Sequence, residues 1–246
     1  MDGTTETVTI DRRYRGPPDS ANGGYACGLL GRRIEGPTRV RLLSPPPLDR
    51  PLSVRAGPER VEMLEDDRRV AEGQAAVWSD EVPPPVAFDA AAEAAERYRW
   101  AKGHPFAGCF VCGPERRPGD GLCIFPGPVP DRAVVAAPWV PDPSVCDAAG
   151  LVRPEVVWAS LDCPSWFGLL EFQPGTAGAL LGQLTARVLR RPAAGEPCVA
   201  IGWARGRDGR KLYAGAALYT GAGELLGSSE AVWVELKTTG HGQGQG

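Results

Sequence analysis

The stretch Leu151–Phe172, LVRPEVVWASLDCPSWFGLLEF, limits the possible folds of this chain more than any other segment. Its residues are apolar on nearly every side of a helix, and such a helix is normally buried. Pro154 suits a first helical turn, because the N–H that proline lacks would have no partner there. We therefore predict one buried helix across the stretch, with Asp162 in its apolar middle.

Asp162 has two interpretations at this stage. A buried carboxylate is unfavourable unless it is paired or hydrogen-bonded, and burial raises its pKa toward the range of a general base. The other interpretation is structural, with Asp162 capping the turn at Pro164 or pairing with a buried arginine. The stretch alone leaves both open.

Composition excludes several classes of protein. Hydrophobic residues make up 43% of the 246 residues and charged residues 23%, which is enough to build a core. The net charge of −3 gives no support for binding nucleic acid. No run approaches the roughly 20 apolar residues of a membrane span, and the first residues lack the apolar core of a signal peptide. Seven cysteines, mostly in apolar runs, suit a reducing compartment. We predict a cytoplasmic protein with neither nucleic-acid nor membrane partners.

A second helix is predicted from Tyr25 to about Ile34, with Ser20 or Asn22 as its N-cap. Gly23 and Gly24 leave bare N–H groups at the positive end of this helix, which is a suitable place for an oxyanion or a phosphate. Close packing of the helix start would also explain the two glycines, and it is the more common reason for them.

Short β-like runs follow both helices, so the chain repeats one plan of strand, apolar helix and antiparallel meander. A linker helix, Phe88–Trp100, separates the copies. We predict an N-terminal unit (1–85), a linker (86–103), a C-terminal unit (104–237) and a disordered tail (238–246). The predicted strands are 6–10, Thr38–Leu43, Leu52–Ala56, Arg60–Leu64, Val70–Trp78, Gly121–Phe125, Ala133–Pro138, Leu180–Leu189, Cys198–Ala204, Lys211–Tyr219 and Leu225–Leu236.

This plan resembles the hotdog fold, and two copies resemble the double-hotdog acyl-CoA thioesterases. The implied class is α+β, with two antiparallel sheets each wrapped round a central helix and fused in one chain. The segment Trp158–Phe167 is similar to the helix motif of type II acyl-CoA thioesterases, whose catalytic Asp falls on Asp162. That family has Thr and Gln partners on later strands. Near those places this chain has Ala204 and the pair Glu230-Ala231.

A second resemblance is to single-domain thioesterases of the phenylacetyl-CoA type, which carry His-Gly-Gly at the helix start and an acid nine residues after the His. Asn22-Gly23-Gly24 matches that start with Asn for His, but Gly31 occupies the place of the acid. In the second half Asp162 is the acid, Arg153 lies nine residues before it, and Pro154-Glu155 replaces the glycines. The first half keeps the glycines and the second half keeps the acid, so this resemblance implies one working site formed by both halves.

The resemblance implies hydrolysis of an acyl-CoA or acyl-carrier thioester. The N–H of Gly23 or Gly24 would hold the oxyanion, Asp162 would act as general base or nucleophile, and Asn22 would orient the carbonyl or the water. Coenzyme A would enter only as part of the substrate, with no other cofactor. Gln183 and Thr185 are further candidates for holding the water. Candidates for contacting the phosphates of coenzyme A are Arg116, Arg117, Arg205 and Arg207. An acyl pocket could be lined by Tyr25, Trp158, Trp166 and Phe167, of which at least two are expected in the core.

The segment Cys109–Pro114, CFVCGP, resembles a pattern that opens many small hotdog thioesterases. The spacing of His104, Cys109, Cys112 and Cys123 is also compatible with zinc. One CxxC without a second matched pair is weak evidence, so we favour a structural turn with small buried thiols and predict no metal.

Two alternatives to hydrolysis stay open. A hotdog protein can bind an acyl thioester or related ligand without hydrolysing it, and the missing Thr and Gln counterparts favour that interpretation. The third possibility is an interaction protein in which Asp162 is purely structural. Hydratases of this fold usually pair an Asp with a His, and only His104 and His241 exist here, which disfavours that reaction. By analogy with other hotdogs we expect a homodimer.

Overall fold

The computed structural model describes residues 5–78, 81–176 and 178–236. Within them, eleven strands form one sheet in the order β1-β3-β4-β5-β2-β8-β11-β10-β9-β7-β6, and all neighbours are antiparallel. The strands are β1 (Thr5–Thr9), β2 (Thr38–Leu42), β3 (Pro51–Ala56), β4 (Val61–Glu65), β5 (Arg68–Ala75), β6 (Gly127–Pro128), β7 (Val135–Trp139), β8 (Ala179–Val188), β9 (Cys198–Asp208), β10 (Lys211–Thr220) and β11 (Leu225–Glu235). The helices are α1 (Gly23–Gly31), α2 (Phe88–Glu96), α3 (Pro154–Ser160) and α4 (Cys163–Phe172).

One predicted strand, Gly121–Phe125, is wrong. Gly121 makes an isolated bridge to Pro118, and residues 122–126 belong to no strand. Cys123 has φ of 54°, a left-handed conformation that an extended strand cannot contain. The predicted disordered tail lies outside the described residues.

The two halves of the chain share one continuous sheet instead of forming two separate sheets. Antiparallel pairing of β2 with β8, from Thr38 opposite Ala186 to Arg41 opposite Gln183, joins them. α1 packs against β2 and β5 in the first half, and α4 packs against β9 and β10 in the second. Each half therefore contributes its own helix to a common core. None of the described helices is long and apolar enough to cross a membrane.

α2 covers the opposite face of the sheet. Successive side chains on a strand point to opposite faces. On β9, Val199 and Ile201 pack in a cluster with Ala91 of α2, whereas Ala200 packs in the main core. The sheet is thus buried on both sides where α2 covers it, around β7 and β9.

The long apolar stretch is two helices, so the prediction of one continuous helix is wrong. α3 ends at Ser160 and α4 begins at Cys163, which leaves Leu161 and Asp162 at the break. Pro164 explains the interruption, because it has no N–H to offer the Ser160 carbonyl and its ring would clash with that group in a continuous helix. Asp162 therefore stands at the N-cap position of α4, between the two helices.

α1 and α3 pack closely because glycines line their contact. A Cβ on Gly28 would lie 2.5 Å from the Glu155 Cα, and one on Gly31 would lie 2.3 Å from the Trp158 indole. A Cβ on Gly24 would lie 2.7 Å from the Trp158 carbonyl oxygen. These distances are shorter than van der Waals contact, so only glycine fits at the three positions.

We expect Gly28→Ala to lower the free energy of unfolding by about 2 kcal/mol, as overpacking does in a tight core. The new methyl group meets backbone, which cannot rotate away. Helix propensity alone would stabilise this variant by about 1 kcal/mol, so a net loss identifies the steric effect. Urea denaturation measures it. Gly178→Ala, where a Cβ meets nothing within 4 Å, is the control, and a stability gain in Gly28→Ala would contradict the prediction.

Candidate active site

Asp162 joins the two halves of the protein at the break between α3 and α4. It is 2% exposed. Its Oδ2 accepts hydrogen bonds from the Gly24 N–H at 2.8 Å and from Asn22 Nδ2 at 2.9 Å. Asn22 also caps α1, because its Oδ1 accepts from the Tyr25 N–H at 2.9 Å. One asparagine therefore fixes both the helix start and one oxygen of the acid.

The other carboxylate oxygen, Asp162 Oδ1, is buried and has no hydrogen-bond partner among the described residues. Asp162 lines a mainly apolar cavity of about 280 Å³. Asn22, Gly23, His104 and Trp166 also line this cavity. An acid with one fixed oxygen and one unpartnered oxygen beside a cavity is arranged to meet a polar group of a ligand.

Burial raises the pKa of Asp162 to about 7. The hydrogen bond from Gly24 opposes this rise, the nearby Cys109 thiol adds to it, and the hydrogen bond from Asn22 opposes it. Desolvation dominates because it disfavours the charged form of the carboxyl group. A carboxyl group with this pKa is partly ionised near neutral pH and can take up a proton there.

Two donors accompany this acceptor on the cavity wall. The Gly23 N–H is the first amide of α1 and makes no hydrogen bond within the described residues, whereas the Gly24 N–H is occupied by Asp162. His104 Nδ1 accepts from the Phe106 N–H at 2.9 Å, which assigns the proton of the neutral ring to Nε2. Burial lowers the pKa of His104, and Nε2 has no partner in the described part of the chain.

Of the four predicted pocket aromatics, Trp166 alone lines the cavity. Trp158 fills the space against Gly31, Tyr25 stacks on Tyr14 with ring centroids 4.1 Å apart, and Phe167 packs against Tyr98. These three residues are buried in the main core.

Trp233 is the aromatic that sequence reasoning missed. It lines the cavity beside Trp166, with ring centroids 5.0 Å apart, and its Nε1 donates to Ser165 Oγ at 2.9 Å. The alternation of buried and half-buried residues along β11 places Trp233 on the inner face. The alternation along β11 is visible in the sequence, but the sequence does not indicate which part of the inner face lines a cavity.

The structure does not bring Gln183 and Thr185 to the acid. Both lie on β8, where they alternate with Leu184 and Ala186 of the main core. Their side chains therefore point to the other face of the sheet. Neither lines the cavity, so they are not positioned to hold a water for Asp162.

The predicted arginines also lie away from the cavity lining. The Arg116 side chain is 7% exposed and donates to Asp120 and to backbone carbonyls, so it holds its own loop together. Arg205 and Arg207 each form an ion pair with a glutamate of β11. Arg117 is exposed.

Asn22→Ala removes both an N-cap and a donor to Asp162. We expect a loss of about 1–2 kcal/mol in the free energy of unfolding, as for other capping residues. Asn22→Ser keeps a capping oxygen, so its loss is expected to be smaller. Urea denaturation of both variants separates the contribution of the N-cap from that of the hydrogen bond to Asp162. Equal losses would show that the cap contributes nothing.

No family model matches the chain, and no curated protein matches it. Several solved structures are nevertheless similar to the chain. The tesB protein of Mycobacterium avium subs. paratuberculosis superposes with a TM-score of 0.62 at 14% identity, over 95% of this chain and 93% of that one.

Two further structures are similar. The acyl-CoA thioesterase II TesB2 of Mycobacterium marinum has a TM-score of 0.58 at 12% identity, over 96% of this chain and 94% of that one. A conserved protein of unknown function with a hot dog fold, from Alicyclobacillus acidocaldarius, also has a TM-score of 0.58 at 12% identity, over 96% of this chain and 95% of that one. Taken with the antiparallel sheet and its packed helices, these similarities show that the chain has a hotdog-type α+β fold.

Proposed function

We propose that this protein hydrolyses acyl thioesters at Asp162. The observation that carries the proposal is the asymmetry of the carboxylate, whose Oδ2 is held by Gly24 and Asn22 while Oδ1 is unpartnered beside a cavity. The names of two similar structures, a tesB protein and an acyl-CoA thioesterase II, support the same reaction class.

Several polar groups at the cavity have roles in the proposed reaction. Asp162 Oδ1 takes a proton from the attacking water, or attacks the thioester carbonyl itself. The Gly23 N–H donates to the oxyanion that develops on the carbonyl oxygen, and a preorganised donor of this kind contributes about 3 kcal/mol. Gly24 and Asn22 hold the acid in place. His104 Nε2 offers a second donor to the substrate.

We further propose that the halves are two hotdog units with one working site between them. The site takes Asn22, Gly23 and Gly24 from the first half and Asp162 from the second. At the corresponding place in the first half, Gly31 is packed against the Trp158 indole. That contact fills the space a second acid would need, so one site per chain is expected.

A groove beside the cavity supplies cations for a coenzyme A substrate. It shares Gly16, Pro105 and Phe106 with the cavity wall and is also lined by Arg12 and Arg15. We propose that Arg12 and Arg15 contact the phosphates, in place of the predicted Arg116 and Arg117. The Arg12 side chain is 57% exposed and pairs with Asp49.

Asp162→Asn is expected to lower thioester hydrolysis by a factor of about 100 or more, in the range of a lost general base. The measurement is thiol release from a panel of short, long and aromatic acyl-CoAs. Glu155→Gln is the matched control, since Glu155 is another buried acid but lies outside the cavity lining and pairs with Arg32. It should keep its activity within about twofold. Equal activity in Asp162→Asn and the natural protein would remove Asp162 from the mechanism.

Arg12→Gln is expected to raise KM for acyl-CoA about fivefold, which corresponds to the roughly 1 kcal/mol of an exposed charge pair. KM for an acyl-N-acetylcysteamine, which carries no phosphates, should stay unchanged. Arg117→Gln is the control and should alter neither value. An equal rise for both substrates would show that Arg12 does not contact the coenzyme A phosphates.

Binding without hydrolysis is the second candidate. It is favoured by Ala204 and the pair Glu230-Ala231, which stand near the places where type II thioesterases carry Thr and Gln. The alternative candidates for holding water, Gln183 and Thr185, lie on the far face of the sheet. Saturable binding of an acyl thioester with no thiol release from any substrate would support it.

A further inference from the structure

Three free thiols converge beside Asp162 from two distant segments. Cys109 and Cys112 lie in the loop before β6, and Cys163 is the first residue of α4. All three are buried, and their sulfur atoms lie within 4.8 Å of one another. The Cys109 and Cys163 sulfurs are 3.8 Å apart. Four ligands at the usual Zn–S distance of about 2.3 Å place neighbouring sulfurs about 3.8 Å apart, so this spacing already fits a tetrahedral zinc.

The turn that carries the first two thiols is built to support a sulfur anion. The backbone N–H groups of Val111 and Cys112 lie near the Cys109 sulfur. The turn is closed by the Gly113 N–H, which donates to the Cys109 carbonyl at 3.0 Å. A Cβ on Gly113 would lie 2.4 Å from the Ala107 carbonyl oxygen, so the turn requires glycine there. Amide donors aimed at a sulfur favour its thiolate form, which is the form that binds metals.

Cys163 brings the third sulfur to this cluster from the start of α4. Its place at the start of a ten-residue helix puts the sulfur at the positive end of the helix dipole. Asn22 Nδ2 lies 3.7 Å from the Cys163 sulfur. A shared proton among close thiols is one way to relieve their crowding, and a metal ion is another.

Three thiolates leave one position of a tetrahedral zinc unfilled. All three cysteines line the same cavity as Asp162, so the open position faces the cavity. His104 also lines it, but its Nδ1 is occupied by the Phe106 N–H, which leaves Nε2 protonated and unable to act as a ligand. Cys123 lies outside the cluster, with its sulfur 4.0 Å from the Gly121 carbonyl oxygen.

We propose that Cys109, Cys112 and Cys163 bind one zinc ion, with its fourth position open to the cavity. The set differs from the one that the spacing of the sequence suggests, since Cys163 replaces Cys123 and His104. Three protein ligands with an open fourth position are typical of zinc sites that keep an exchangeable ligand. The proposal concerns metal binding and holds whether or not the protein hydrolyses thioesters.

The test starts from the natural protein, purified with a reductant and stripped of metal with a chelator. Zinc is added in competition with a chromophoric chelator, and cobalt is added separately to record the visible bands of tetrahedral thiolate-bound Co²⁺. Uptake of about one ion per chain with those bands is expected. X-ray absorption of the zinc-loaded protein should show three sulfurs at about 2.3 Å and one lighter atom. Failure to take up zinc, or a shell of nitrogen and oxygen alone, would overturn the proposal.

Variants distinguish the two cysteine sets. Cys163→Ser should weaken zinc binding by more than about 100-fold, because it removes a ligand. Cys123→Ser should bind as the natural protein does. If zinc binding required Cys123 and did not require Cys163, the proposal would be contradicted. Circular dichroism checks that each variant folds. If Cys163→Ser does not fold, the sulfur count from X-ray absorption of the natural protein decides, since four sulfurs or fewer than three would contradict the assignment.

Discussion

The contact of Asp162 with the start of α1 is the constraint on which the rest of the structure depends. It spans 138 residues of sequence between Gly24 and Asp162 and unites the two halves through two hydrogen bonds to one oxygen. A buried carboxylate must find donors, and α1 supplies them as a capping asparagine and a free helix-end amide. The same contact leaves Asp162 Oδ1 without a partner among the described residues, and the proposed chemistry is assigned to that oxygen.

This contact requires that the two helices approach closely at one point. Gly24, Gly28 and Gly31 remove the side chains that would hold α1 and α3 apart. Pro164 interrupts the helical hydrogen bonds, so α3 ends at Ser160 and Asp162 lies in the break before α4. Close packing and the helix break therefore occur together where Asp162 meets α1.

The cavity combines polar groups that come from separate parts of the chain. Asn22 and Gly23 belong to the start of α1, His104 to the loop after α2, and Asp162 to the helix break. Cysteines from that same loop and from α4 form the adjacent wall. A hydrolase site and a metal site would then share one cavity, and each would influence the charge of the other across a few ångströms.

Sequence patterns predicted most elements, because hydrophobic period, turn residues and caps are local properties. The Asn22 cap, the hairpin of β4 and β5 and the strands from β8 to β11 follow from such signals. Pro164 was visible in the sequence, yet the apolar run around it suggested an unbroken helix. The left-handed backbone at Cys123 left no local trace, because cysteine rarely adopts that conformation.

By itself the sequence determined which residues had unusual chemistry, namely an acid in an apolar helix, paired glycines at a helix start and a CxxC turn. Only the tertiary structure decided which of them meet. Pairing of β2 with β8 brings the halves together, and strand alternation turns Gln183 and Thr185 away from the acid that they were expected to serve. Cys163 joins Cys109 and Cys112 only because the helix break lies against their loop. Such neighbours depend on long-range packing, which no local pattern encodes.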